Sequence, residues 1–132
     1  MIGGWEYYSY QLSDETSEEL VAKFSHLIPD GWKPIAHHMT IVHRSRPNQE
    51  IQDFAEAHLG ETFQLEIGEL GQSDVAMALK VVGGAPSANA LPHITLAVAP
   101  NGKPVQSNYI KDWTPIEKFK IPAVCTKISS RS

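Results

Sequence analysis

The sequence predicts an α+β domain with mainly antiparallel strands. Three observations carry this: segments rich in aromatic and β-branched residues bounded by Gly, Pro and Asn; two stretches with apolar residues at helical spacing; and strands that follow one another without an intervening helix. At 132 residues and 14.6 kDa the chain has the size of one domain, able to bury roughly two-thirds of its unfolded surface without disulfides or metal.

The opening segment Trp5 to Leu12 is aromatic with weak alternation and reads as a strand. Ser13 or Asp14 can cap the helix that follows. There Thr16 with Glu19 forms a further capping pattern, and Leu20, Val21, Phe24, Leu27 and Ile28 recur at helical spacing up to the turn Pro29-Asp30-Gly31. The acidic residues Asp14, Glu15, Glu18 and Glu19 suit a first turn against the helix dipole. Ile35 to His43 reads as a strand, and Asn48 to His58 as a short helix closed by Gly60. Thr62 to Leu70 and Asp74 to Val82 read as strands joined through Gly71-Gln72-Ser73. A small-residue loop, Gly83 to Ala90, leads to a strand over Pro92 to Ala99. The turn-rich stretch from Asn101 to Pro115 predicts no definite element, and a last strand is expected between Phe119 and Ile128.

Composition narrows the function. With 42% hydrophobic and 20% charged residues the chain is an ordinary globular domain. A net charge of −4 argues against coating nucleic acid through bulk charge, so any nucleotide must be held at a local site. The lone Cys125 has no internal disulfide partner and reads as a small buried hydrophobe, and Met1 to Glu6 lacks a basic then apolar leader pattern; a reducing cytoplasm is the expected address. The best apolar run, Val75 to Val82, is short and contains Lys80, so no membrane span is expected.

The informative feature is a repeated tetrapeptide, His38-Met39-Thr40-Ile41 and His93-Ile94-Thr95-Leu96, each inside an expected strand. Strand side chains alternate, so each His shares a face with its Thr while the apolar residues point to the other face and anchor in a core. With six His and six Thr in the chain, the chance expectation for such a pattern is only about 0.05 copies. A looser match, His43-Arg44-Ser45, fails the apolar condition.

Two imidazoles suit phosphodiester hydrolysis, which needs a base for water and an acid for the leaving oxygen near neutral pH. Thr40 and Thr95 can donate to non-bridging phosphate oxygens, and the scheme requires neither metal nor cofactor. Arg44, just past the first motif, is a candidate phosphate ligand, with Arg46 a weaker one. Trp5 and Tyr8 are candidates to stack a base, with core packing the competing fate of the aromatic run that also holds Tyr7 and Tyr10. His43, an odd number of positions from Thr40, is expected on the opposite strand face, as is His37 relative to His38. These divergent histidines, without a carboxylate or cysteine at ligand spacing, make a poor zinc site. Lys80 can reach a phosphate, but a snorkelling lysine is the simpler expectation. Trp32 and Trp113 are expected to pack.

These motifs resemble those of the 2H phosphoesterases. Within that superfamily, His38-Met39-Thr40-Ile41-Val42-His43-Arg44-Ser45, Leu91-Pro92-His93-Ile94-Thr95-Leu96 and the Ser73-Asp74 that leads into Ala76-Met77-Ala78-Leu79 are most similar to the cyclic phosphodiesterase domain of plant and fungal tRNA ligases. The likeness spans roughly Gly31 to Leu96, and the ligase and kinase domains of those relatives have no room in this chain. The resemblance implies a bilobal fold of two mainly antiparallel sheets, with a central cleft and helices on the outside. It also implies metal-independent opening of a 2′,3′-cyclic phosphate at an RNA end to a 2′-phosphate. His38 and His93 would be the acid–base pair and Thr40 and Thr95 the phosphate donors. His93 is the expected base and His38 the expected acid, although a pseudo-twofold site admits substrate in either sense. Alternative expectations are a phage-type 2H nuclease that degrades cyclic oligonucleotide immune signals, and a non-catalytic RNA-end or nucleotide-binding module. An RNA end or cyclic nucleotide is thus the expected partner, with no membrane and no obligatory protein partner.

Overall fold

A computed structural model describes residues 5–89 and 91–129. Its strands are β1 (Trp5–Gln11), β2 (Lys33–Pro34), β3 (His38–His43), β4 (Thr62–Gln72), β5 (Ala76–Gly83), β6 (His93–Val98) and β7 (Trp113–Ser129); its helices are α1 (Asp14–Phe24), α2 (Gln49–Ala57) and a 3₁₀ helix at Pro104–Tyr109. The fold is α+β with antiparallel pairing throughout, as the order of elements predicts.

Of the two residues expected to cap α1, Ser13 does so, its Oγ accepting from the Thr16 N–H at 3.1 Å; α2 is capped by Asn48, whose Oδ1 accepts from the Ile51 N–H at 3.2 Å. Three elements differ from expectation. Of the strand expected over 35–43 only His38–His43 forms; residues 35–37 are irregular around Ala36, whose φ of 48° is unusual for a residue with a side chain, and the two-residue β2 precedes them. The stretch from Asn101 to Pro115 holds the 3₁₀ helix, and the last strand begins at Trp113, well before Phe119. Two prolines, Pro115 and Pro122, sit inside β7 because that part of it pairs with β4 alone, while β1 pairs only from Val124 onward. A proline on the unpaired side of a strand removes no ladder bond.

The strands form one sheet in the order β2-β6-β3-β1-β7-β4-β5, and β5 also pairs with β6, so six of the seven close on themselves. Two sheets were expected; hydrogen bonding instead runs continuously around the ring. The seam is thinnest between β3 and β6, which share the pair Met39 with Ile94. Each of the six strands turns apolar residues into one buried cluster, including Tyr8, Tyr10, Ile41, Leu65, Ile67, Leu79, Leu96 and Cys125, closed over by Leu20 and Phe24 of α1 and Ala55 of α2. Burying a side chain of this kind contributes about 1.5–3 kcal/mol relative to leaving it exposed. Gly84 makes the turn out of β5 possible: its φ is 99°, and a Cβ there would sit 2.0 Å from the Gln64 carbonyl oxygen. Among the described residues no helix is long and apolar enough to cross a membrane.

Candidate active site

Met39 of β3 and Ile94 of β6 face each other across an antiparallel pair, and both are fully buried. Alternation places His38 and Thr40 on either side of Met39, and His93 and Thr95 on either side of Ile94, on the faces opposite those two buried side chains. The two histidines are near enough for the charge of His93 to bear on His38. Both copies of His-x-Thr have the same phase relative to their buried residue, and that shared phase is what lets one apolar contact bring four polar side chains together.

The local backbone is built to allow this. Beyond β2, the Ile35 N–H donates to Leu96 O and the Ala36 N–H to Thr95 O, each at 2.8 Å. From Pro34 opposite Ala97 to Met39 opposite Ile94, the first strand uses two more residues than the second, and the excess lies between Ala36, bonded to Thr95 O, and Met39. This is a bulge beside the site, with the left-handed Ala36 as its strained residue.

The electrostatics of the two rings are coupled. His38 is lowered from the ordinary histidine value to about 4, first by burial and then by the positive charges of His37 and His93. His93 is lowered by burial, partly offset by a bond from its Nδ1 to the Leu91 carbonyl at 2.7 Å. That carbonyl can only accept, so Nδ1 carries the proton and Nε2 of the neutral ring is left as an acceptor.

The two threonines differ. Thr40 is half-buried and its hydroxyl makes no hydrogen bond among the described residues. Thr95 is buried beneath the 3₁₀ helix, with its Oγ1 2.9 Å from Ser107 Oγ and 3.3 Å from the Pro104 carbonyl. Of the two expected phosphate donors, Thr40 has an open hydroxyl and Thr95 one that is engaged with Ser107.

Of the expected flanking residues, Tyr8 is corrected. It is 1% exposed, packs in the core and donates its hydroxyl to the Glu56 carboxylate, because it alternates with Tyr7 and so takes the other face of β1. Trp5 begins β1, but its side chain lies outside the described residues. Arg44 is exposed in the turn just past His43, its N–H donating to Glu6 O at 3.0 Å, and Arg46 is exposed in the same turn.

Three residues gain importance. His43 was expected on the far face, yet the β1–β3 register passes from Tyr8–Val42 to Ser9–Thr40, leaving Ile41 as an extra residue. This second bulge buries Ile41 and Val42 in succession and returns His43 to the face of His38. Ser87 Oγ donates to Thr40 O at 3.0 Å and the Ala88 N–H to Ile41 O at 2.7 Å, pinning the bulge. Tyr7 then stacks with both rings, 5.4 Å from His38 and 6.0 Å from His43. The adjacent apolar pair Ile41-Val42, which interrupts the two-residue period, was the available signal. The third residue, Lys80, pairs directly with His93 across β5 and β6.

Among the described residues no three of His, Cys, Asp and Glu converge as metal ligands. Two surface hollows of about 270 and 250 Å³ lie between α1 and β7 and contain none of the motif residues. Neither family models nor curated protein sequences yield a match to this chain.

Proposed function

We propose that the chain is a metal-independent phosphodiesterase of the 2H type, acting on a 2′,3′-cyclic phosphate of RNA to leave a 2′-phosphate. The observation that carries this reading is the Met39–Ile94 pairing, which sets both His-x-Thr motifs side by side on one polar face. In this reading the β3–β6 seam corresponds to the central cleft of the bilobal fold, and the phosphorus sits between the rings. The oxygen of water attacks phosphorus as His93 Nε2 takes a water proton. The bond from phosphorus to O3′ breaks as His38 delivers a proton to that oxygen, and Thr40 donates to a non-bridging oxygen. The negative phosphate between the rings favours the protonated form of His38 that this step needs.

A second reading, a nucleotide-binding module without catalysis, is favoured by the engagement of the Thr95 hydroxyl under the 3₁₀ helix. One experiment separates them. The protein is incubated in chelator with uridine 2′,3′-cyclic phosphate, a cyclic-ended oligoribonucleotide and a cyclic dinucleotide, with binding measured alongside turnover. Hydrolysis of either 2′,3′-cyclic species supports the proposal, and hydrolysis of the cyclic dinucleotide alone moves the assignment to a nuclease of cyclic oligonucleotides. Binding with no product leaves the non-catalytic module.

A further inference from the structure

Lys80 is the one charged residue of β5. Its neighbours Leu79 and Val81 turn into the core, so Lys80 lies on the opposite face, against His93 of β6 on one side and Glu69 of β4 on the other. Its Nζ is 3.4 Å from Glu69 Oε2, with the two side chains 31% and 27% exposed, and lies 5.9 Å from the centre of the Trp113 ring. That ring is itself fixed: Trp113 Nε1 donates to Ile110 O at 3.1 Å, and the indole lies flat over Gly71, where a Cβ would be 2.5 Å from it.

A half-buried Lys–Glu pair is a weak stabiliser, because lost hydration offsets most of the attraction and an apolar pair would serve the fold as well. Its neighbour explains its place better. His93, Lys80 and Glu69 form a row across three adjacent strands, at steps of roughly 5 Å, and Thr40 follows Met39, which pairs with the Ile94 next to His93. A phosphate clasped at His93 and Thr40 therefore has, one strand further along, a cation drawn toward its Glu69 partner on the side away from His93. That offset suits the neighbouring phosphate of a nucleotide chain and not the scissile one.

We infer that Lys80, held by Glu69, is a second phosphate subsite, which makes the substrate class one with a further phosphodiester beside the scissile phosphate: an oligonucleotide and not a mononucleotide. This rests on the phosphodiesterase reading of His38 and His93. The test compares kcat/KM for uridine 2′,3′-cyclic phosphate and for the dinucleotide UpU ending in a 2′,3′-cyclic phosphate, in wild type, Lys80→Met, Lys80→Gln and Glu69→Gln, with each variant's fold checked by circular dichroism. The wild type should favour the dinucleotide, chiefly through KM and less at high salt. Either Lys80 variant should cut that preference about tenfold, as expected for one charge-assisted contact. Lys80→Arg should restore most of it. A loss shared equally by both substrates places Lys80 at the scissile phosphate and overturns the inference, as does an unchanged preference. Turnover of neither substrate by the wild type defeats the phosphodiesterase reading alone. The subsite is then judged by calorimetric affinity for the same two ligands, where selective weakening of the dinucleotide by Lys80→Met upholds it and equal affinities overturn it.

Discussion

The ring of His93 is tied to the carbonyl of Leu91 two residues earlier, Nδ1 to oxygen, at 2.7 Å. The tether fixes the tautomer and aims Nε2 at the polar face, where it can accept a proton from water. His38 has no comparable tether among the described residues; burial and two neighbouring histidines hold it neutral in the free protein. Under the acid–base reading, His38→Ala and His93→Ala each lower kcat on a 2′,3′-cyclic substrate by about 10² to 10⁴. The double variant should be little worse than the weaker single one, because the pair acts as a unit. Steady-state rates in chelator with circular dichroism controls check this, and near-wild-type rates in either single variant would dismiss the pair.

The pH profile should show the coupling. The working state has one ring protonated and one neutral, and it is most populated between the apparent pKa values of the pair, both of which are lowered. The optimum of kcat/KM, which reports the free protein, should lie on the acid side of pH 6.5. The optimum of kcat should lie higher, since bound phosphate favours imidazolium. A kcat/KM optimum above pH 7.5 would count against the assignment.

Stability should fall on the same limb. His38 titrates near 6.5 in the unfolded chain and near 4 in the folded one, so between these values the unfolded chain binds more protons. The stability contributed by a neutral His38 is fully present above pH 6.5 and is lost as pH falls toward 4, with His93 acting in the same direction. Melting temperatures at pH 7.5 and 4.5 should differ less in His38→Gln than in wild type. An equal difference would show that the pH dependence arises elsewhere.

Ser107 is fully buried and joins the 3₁₀ helix to Thr95. Ser107→Ala leaves the buried Thr95 hydroxyl with only the longer contact to Pro104 O, a loss of about 1–3 kcal/mol in urea unfolding. If the substitution costs nothing, the helix is not held through this contact.

The adjacent tyrosines of β1 should separate cleanly. Tyr7→Leu removes the ring stacked on His38 and should lower kcat/KM severalfold while shifting its pH profile. Tyr8→Phe removes the bond to Glu56 on the other face and should lower the melting temperature slightly with little effect on rate. The reverse pattern would return Tyr8 to the site.

Much of this was legible before folding. Alternation within a strand is a local property, so the face shared by His38 with Thr40, and by His93 with Thr95, followed from residue spacing alone. The cap at Ser13 and the antiparallel character were readable for the same reason. Tyr8 and His43 were misplaced because the choice between two faces depends on which one packs and on where a bulge resets the phase. For His43 that reset lies at Ile41, stabilised by Ser87 from a distant loop.

By itself, then, the order of residues determined that two imidazoles would each stand beside a threonine above a buried strand, because that depends on backbone geometry over three residues. Only the tertiary structure decided that Met39 meets Ile94, that Lys80 borders His93 and that Ser107 occupies Thr95, because pairing between strands far apart in the chain is selected by the packing of the whole core.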